Sequence, residues 1–161
     1  MTMANIHHFD SFSIVQGDIR INIDLDPLSE RFNKAQYELD AMIMADMKPY
    51  MPFATGGFIQ RTDAVSASLR GTGVVCAGVP PMGRYLYEGK VMVDSATDKG
   101  PMKITSKFGE ETLRFRKGAK LRPTDRPLQY SNCRTDHWFD AAKSAKGADW
   151  VRITKKTAGG G

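Results

Sequence analysis

Between Asp18 and Leu25 apolar and polar residues alternate without a break. Ile19, Ile21, Ile23 and Leu25 fall on one side, and Asp18, Arg20, Asn22 and Asp24 on the other. A period of two predicts a half-buried β-strand. Phe12 and Ile14 begin a similar stretch, and Gln16–Gly17 is placed to fold the two into a hairpin. Asp26–Pro27 ends the strand and starts a helix, with Asp26 as the cap and Pro27 at the first helical position. From Leu28 the period changes: Leu28, Phe32, Ala35, Leu39 and Met42 step by four, three, four and three, one stripe along a helix. The residue ahead of a proline avoids helical geometry, so this helix ends before Pro49. It is about 21 residues and ~32 Å long, and it is expected to organise the core.

The rest of the pattern is more broken. Tyr50–Gly57 is turn chemistry. Phe58–Arg61 and Val65–Leu69 read as short strands, Gly71–Gly73 as a turn, and Val74–Val79 as a buried strand stopped by Pro80–Pro81. Arg84–Glu88 reads as one helical turn closed by Gly89. Loose β pattern follows at Val91/Val93, Met102/Ile104, and then Leu113/Phe115 and Ala119/Leu121 around a turn at Lys117–Gly118. Thr135 or Asp136 is placed to cap a last helix with Trp138, Phe139 and Ala142 on its apolar side. Gly147 is expected to interrupt that helix before Trp150 and Ile153, with a tail at Ala158–Gly161. This order predicts a single α+β domain over 1–161, an antiparallel or mixed sheet packed against one long helix and a C-terminal helix. Residues 1–26 form an N-terminal hairpin or arm, and 90–126 a long β excursion. Phe32, Leu39 and Trp138 are expected to be buried together.

Length and composition fit that reading. The 161 residues suit one domain, and 41% hydrophobic with 25% charged residues excludes a disordered or fibrous chain. The longest apolar run, Gly73–Pro81, is about half of the ~18 residues that span a bilayer, so no membrane partner is expected. The first ten residues show neither a positive nor an apolar signal region. Cys76 and Cys133 stand far apart and read as free thiols of a reducing cytoplasm. The charge is uneven: residues 1–80 carry 6 Lys+Arg against 9 Asp+Glu, and residues 81–161 carry 17 against 9. Such polarity fits a nucleic-acid partner, a complementary neighbour in a head-to-tail oligomer, or a solvated face.

Candidate chemistry is sparse. His7 and His8 lie in a polar segment without ligand partners, and His137 stands at the start of a helix. No nucleophile elbow, phosphate loop or dinucleotide glycine pattern occurs, and the carboxylates form no spaced pair. No catalytic residue, cofactor or metal is assigned. The dense cationic element is the hairpin Arg114–Arg122, with Arg114, Arg116, Lys120 and Arg122 on one face and Lys117 at its tip. It would hold phosphates without reading sequence. Phe115 alone interleaves it, which argues against a stacking platform for single strands. A neighbour's acidic half suits it equally. Met42, Met44 and Met47 suit core gaps or an adaptable interface.

Three blocks of sequence resemble the minor capsid protein family of tailed bacteriophages. Ala35–Asp40 (AQYELD) followed by Lys48–Gly56 (KPYMPFATG) is similar to a helix with A-Q-x-x-L-D leading into P-Y-x-P-x-x-T-G. Pro80–Gly89 (PPMGRYLYEG) is similar to P-Y-A-R-x-L-Y-Y-G, and His137–Lys143 (HWFDAAK) to a closing W-F-x-x-A-K helix. Pro81, Met82, Glu88 and Ala54 depart from those patterns. The blocks keep the family's order over about 35–145.

The resemblance implies a structural virion protein of the neck, made in the host bacterial cytoplasm, that forms a homo-oligomeric ring, expected as a hexamer. Its implied partners are portal-side head-closure or connector proteins and tail-tube or tail-terminator proteins, with non-specific contact to genomic DNA. Subunit contacts are then expected at Tyr50, Pro52, Thr55, Gly56, Tyr85 and Tyr87, and channel-facing cations at Arg114, Arg116, Lys117, Lys120 and Arg122. The alternative is a small cytoplasmic nucleic-acid-binding module that uses the Arg114–Arg122 hairpin.

Overall fold

The periodic stretch after Leu25 folds as a helix, and a second long helix near the C-terminus packs along it. In the computed structural model residues 9–53, 56–80, 82–105, 111–130 and 134–160 are described, with 111–113 described by backbone alone. Strands β1 (Phe12–Gln16) and β2 (Ile19–Ile23) precede α1 (Asp26–Met47), which runs into a 3₁₀ turn at Lys48–Tyr50. Then come α2 (Gly57–Ser68), α3 (Gly83–Glu88), β3 (Lys90–Asp94), β4 (Met102–Thr105), β5 (Glu111–Arg114), β6 (Leu121–Pro127) and α4 (Trp138–Thr157). The fold is α+β, with antiparallel pairing throughout, as β1–β2, β3–β6 and β4–β5.

The core lies between helices. Met44, Met47 and Met51 meet Phe58, Val79, Trp138, Ala142 and Trp150. On α1 the buried face is turned from the expected stripe: Ala35, Asp40, Met44 and Met47 are buried, while Phe32 is 37% exposed and meets Phe9 edge-on. The positions Asp40, Met44, Met47 and Met51 also step by four, three and four, and a carboxylate at the head of that stripe masks it from an apolar count. Leu39 packs at the edge of the core, so Phe32 alone of the three expected core residues stands outside it. The helix begins one residue earlier than a cap at Asp26 requires. Asp24 lies upstream, its carboxylate accepting the Asp26 N–H at 3.0 Å.

Several further expectations are corrected. Phe58–Leu69 is not a pair of strands; nearly all of it is α2, buried at Phe58, Thr62 and Ser66, one turn apart each time. Two of those three positions carry hydroxyls, which hides the helical period. Val74–Val79 is neither strand nor helix and bends at Ala77. Its backbone groups are met by side chains: the Ser66 hydroxyl accepts from Cys76 N–H and donates to the Cys76 carbonyl, both at 3.0 Å. The indole of Trp138 donates to the Ala77 carbonyl at 2.9 Å. Buried polar backbone must be paired, and here side chains do what a neighbouring strand would. Gly78 and Gly83 cross so closely that a Cβ on either would collide with the other's backbone.

Gly147 does not interrupt α4, and neither Thr135 nor Asp136 caps it; His137 precedes the helix with φ 45°. A mid-helix glycine costs only about 1 kcal/mol, and Ala142 and Trp150 hold the helix on both sides of it. The expected 113–121 hairpin is also absent. Lys117–Gly118 does turn, but β5 pairs with β4, and β6 pairs with β3. The Ser95 N–H and hydroxyl both donate to the Lys120 carbonyl, at 2.8 and 2.7 Å, and draw the chain toward β3 rather than β5.

The β1–β2 hairpin forms where expected but is not half-buried. Phe12, Ile14, Ile19, Ile21 and Ile23 share one face and are all exposed. Among the described residues no helix is long and apolar enough to cross a membrane. His7, His8, Pro81 and Cys133 lie outside the described residues; Cys76 is half-buried and carries a free thiol.

Truncating Trp138 to Ala is expected to cost about 3–5 kcal/mol, as for other fully buried large aromatics. Phe32→Ala should cost less than about 1.5 kcal/mol, because that ring is already partly in water. Urea unfolding of the two variants checks the contrast.

Candidate functional site

The three blocks that carry the family resemblance, separated by up to about 90 residues in sequence, meet around Trp138. The Thr135 N–H donates to the Tyr50 carbonyl at 3.1 Å, and the His137 N–H donates to the Tyr87 carbonyl at 3.0 Å. Arg134 donates to the Met51 carbonyl, and its guanidinium lies 5.0 Å from the centre of the Phe53 ring. The Trp138 ring meets Tyr87 edge-on at 4.9 Å and Phe58 at 6.0 Å, both near perpendicular. Such edge-to-face pairs add about 0.5–1.5 kcal/mol to the area they bury.

The residues expected at a subunit interface are distributed around this junction. Tyr50 and Tyr87 are half-buried against the core cluster. Gly56 is buried with φ 79°, a left-handed conformation that suits glycine, and a Cβ there would crowd the Phe53 ring. Pro52 is half-buried, and Tyr85 is half-buried with its ring edge-on to Phe115 at 6.4 Å. Thr55 lies outside the described residues. Tyr130 donates its hydroxyl to the Leu86 carbonyl; burial, aided by the negative charge of Asp136, pushes its pKa up to about 12. His137 is exposed and its Nδ1 lies 3.7 Å from the Asp140 carboxylate.

The cationic positions do not act as one face. Arg116 pairs with Asp94, whose side chain is only 5% exposed. The Arg116 guanidinium, and after it the Ala96 N–H at 3.0 Å, hold the Asp94 carboxyl below the usual carboxylate range. Arg122 pairs with Asp98 at 2.7 Å. Arg114, at the end of β5 opposite Met102, and Lys117 and Lys120 are exposed. Two of the five expected phosphate contacts therefore serve as internal clamps on the 94–98 turn. Both partners, Asp94 and Asp98, lie more than 15 residues away in sequence, and no local pattern joins them.

Sequence reasoning missed Asp40. Its buried carboxylate accepts from Gly71 N–H at 2.8 Å, Gly73 N–H at 3.2 Å and the Gln36 amide at 2.7 Å. Gly71 and Gly73 have φ of 87° and 77°, which lets two amides turn toward one carboxylate. The pair of glycines was the available signal.

Two open grooves run along the seam of α1 and α4. One, of about 350 Å³, is lined by Leu39, Ile43, Phe139, Trp150 and Val151 with Lys143 at its edge. The other, of about 510 Å³, continues past Thr154 and Lys155 to Phe32 and Ala35. Among the described residues no three His, Cys, Asp or Glu side chains gather as a metal site. Comparison with protein-family models, with curated proteins and with solved structures gives no match.

Removing the Arg116 guanidinium leaves a nearly buried carboxylate unpaired, so Arg116→Ala should lower the melting temperature, while Arg114→Ala leaves it unchanged. Asp94 has a lower pKa folded than unfolded. The pairing thus stabilises fully above the unfolded value of 3.8 and is lost as the pH falls through the folded value. Thermal melts between pH 2 and 7 should show that loss in the wild type and a shallower one in Arg116→Ala.

Proposed function

We propose that this chain is a structural protein of a tailed-bacteriophage neck, a ring-forming subunit that joins the DNA-filled head to the tail. The observation that carries the reading is the meeting of Tyr50–Met51, Tyr87 and Trp138. The three blocks that resemble the phage family share one structural job, packing and hydrogen-bonding around one tryptophan, as a family's framework residues do. The exposed apolar hairpin and the open α1–α4 seam support an assembling rather than a solitary subunit. Large exposed apolar faces in soluble chains mark contact surfaces.

On this reading the chain is made in the host bacterial cytoplasm and resides in the virion neck. Its neighbours are copies of itself, portal-side head-closure or connector proteins, and tail-tube or tail-terminator proteins. Arg114, Lys117 and Lys120 are the cations left to face a channel and touch DNA. The reading assigns no chemical step to any residue. The alternative nucleic-acid module is weakened by the pairing of Arg116 and Arg122 with aspartates of their own chain.

Negative-stain microscopy and mass measurement of the purified chain test the proposal. Closed rings are expected. Particles made without the protein should show full heads beside detached, finished tails. A chain that stays monomeric and binds DNA in a strongly salt-dependent way contradicts the reading in favour of the nucleic-acid module.

A further inference from the structure

The β1–β2 hairpin is a finished element with an unfinished surface. Its root is fixed to the start of α1: the Ser11 hydroxyl donates toward Asp24 and Asp26, both at 3.2 Å, and accepts from the Leu25 N–H at 2.8 Å. Beyond that root both strands are exposed along their whole length. Phe12, Ile14, Ile19, Ile21 and Ile23 line up on one face, between 37% and 66% exposed. A two-stranded hairpin alone in water is marginally stable at best, and its apolar face needs a helix or a further strand.

A matching surface lies elsewhere on the same molecule. Along the α1–α4 seam Leu39, Ile43, Phe139 and Trp150 floor an open groove, with Val151 55% exposed at its rim. We propose that the hairpin of one copy of this chain lies in the α1–α4 groove of a second copy. Both surfaces are open within one chain, and three features fit them to each other. First, a five-residue strand is ~17 Å long, and the thirteen residues of α4 from Phe139 to Val151 span ~18 Å. Second, both faces are apolar.

The third is charge. The arm carries Asp10, Asp18 and Asp24 against Arg20, while α4 carries Lys143, Lys146, Arg152, Lys155 and Lys156 against Asp140 and Asp149. The charged side chains that line the groove are Lys143 and Lys155, so a net-acidic arm meets a lysine-edged groove, a pairing that arm–arm or groove–groove contacts lack. The contact joins two unlike patches, so repetition gives a ring if the rotation closes. It deepens the ring reading above, rests on it, and specifies which residues make the subunit contact.

The test uses the full chain and two variants, Ile21→Lys in the arm and Val151→Lys in the groove. Both positions are exposed, so circular dichroism and melting should stay as in the wild type. Sedimentation is expected to show each variant with its half-assembly concentration raised roughly tenfold or more. An equimolar mixture of the two should form a dimer that does not extend, because one chain offers an intact groove and the other an intact arm. Variants that assemble like the wild type, or a mixture that stays monomeric, overturn the arm-in-groove contact; rings in the wild type would still leave the neck reading standing. A wild-type chain that is monomeric at every concentration overturns both. A wild-type assembly that stops at a dimer, lost in both variants, supports the contact and overturns the ring.

Discussion

The burial of one indole orders this molecule. Trp138 is fully buried, and several separate elements converge on it. Met44 and Met47 of α1 and Met51 beyond it contribute apolar surface, and Phe58 of α2 an aromatic edge. The Val74–Val79 segment contributes a carbonyl at Ala77, and Tyr87 of α3 contributes a ring edge, while its carbonyl accepts from the adjacent His137 N–H. An indole has one donor and a large apolar body, so its burial demands one acceptor and close packing together. That demand explains why 74–79 is held without being a strand. Its Ala77 carbonyl is turned to the tryptophan, and Cys76 is tied to Ser66.

The strands stand apart from this centre. Among the described residues none of the buried cluster belongs to a strand, and the six strands pair off as three separate ribbons. The β3–β6 ribbon is stabilised locally by Arg116 on Asp94 and by Thr124 on the Val91 carbonyl at 2.7 Å. On β4, Met102 and Ile104 are exposed, much as the β1–β2 face is. The main buried cluster is thus built from helices and the segments between them, while the β1–β2 face and β4 are left exposed and β3 buries Met92 and Val93. The exposed β1–β2 face is the surface that the proposed contact would use.

How much of this was legible depended on which residues bury. The hairpin was plain because strict alternation around a Gly-containing turn has few other solutions, and α1 because five apolar positions kept a helical period. The closing role of Gly89, φ 66°, was equally visible. The second helix was hidden because Thr62 and Ser66, not aliphatic residues, face the core, and the true α1 stripe was hidden behind Asp40. The supposed basic hairpin failed for a different reason. Arg116 and Arg122 are committed to Asp94 and Asp98 across a gap that no periodicity spans. Burial of the hairpin face was misjudged because alternation reports that a face is apolar, not whether its cover belongs to the same chain.

The central claim is that the β1–β2 arm, open in the single chain, is covered by another copy. Hydrogen–deuterium exchange at a series of protein concentrations measures this most directly. The account predicts that amides of 12–23 and of 139–151 gain protection together as concentration rises, while the Trp138 junction is protected throughout. Equal exchange of the arm in dilute and concentrated protein, or protection gained only in segments other than these two, would contradict it.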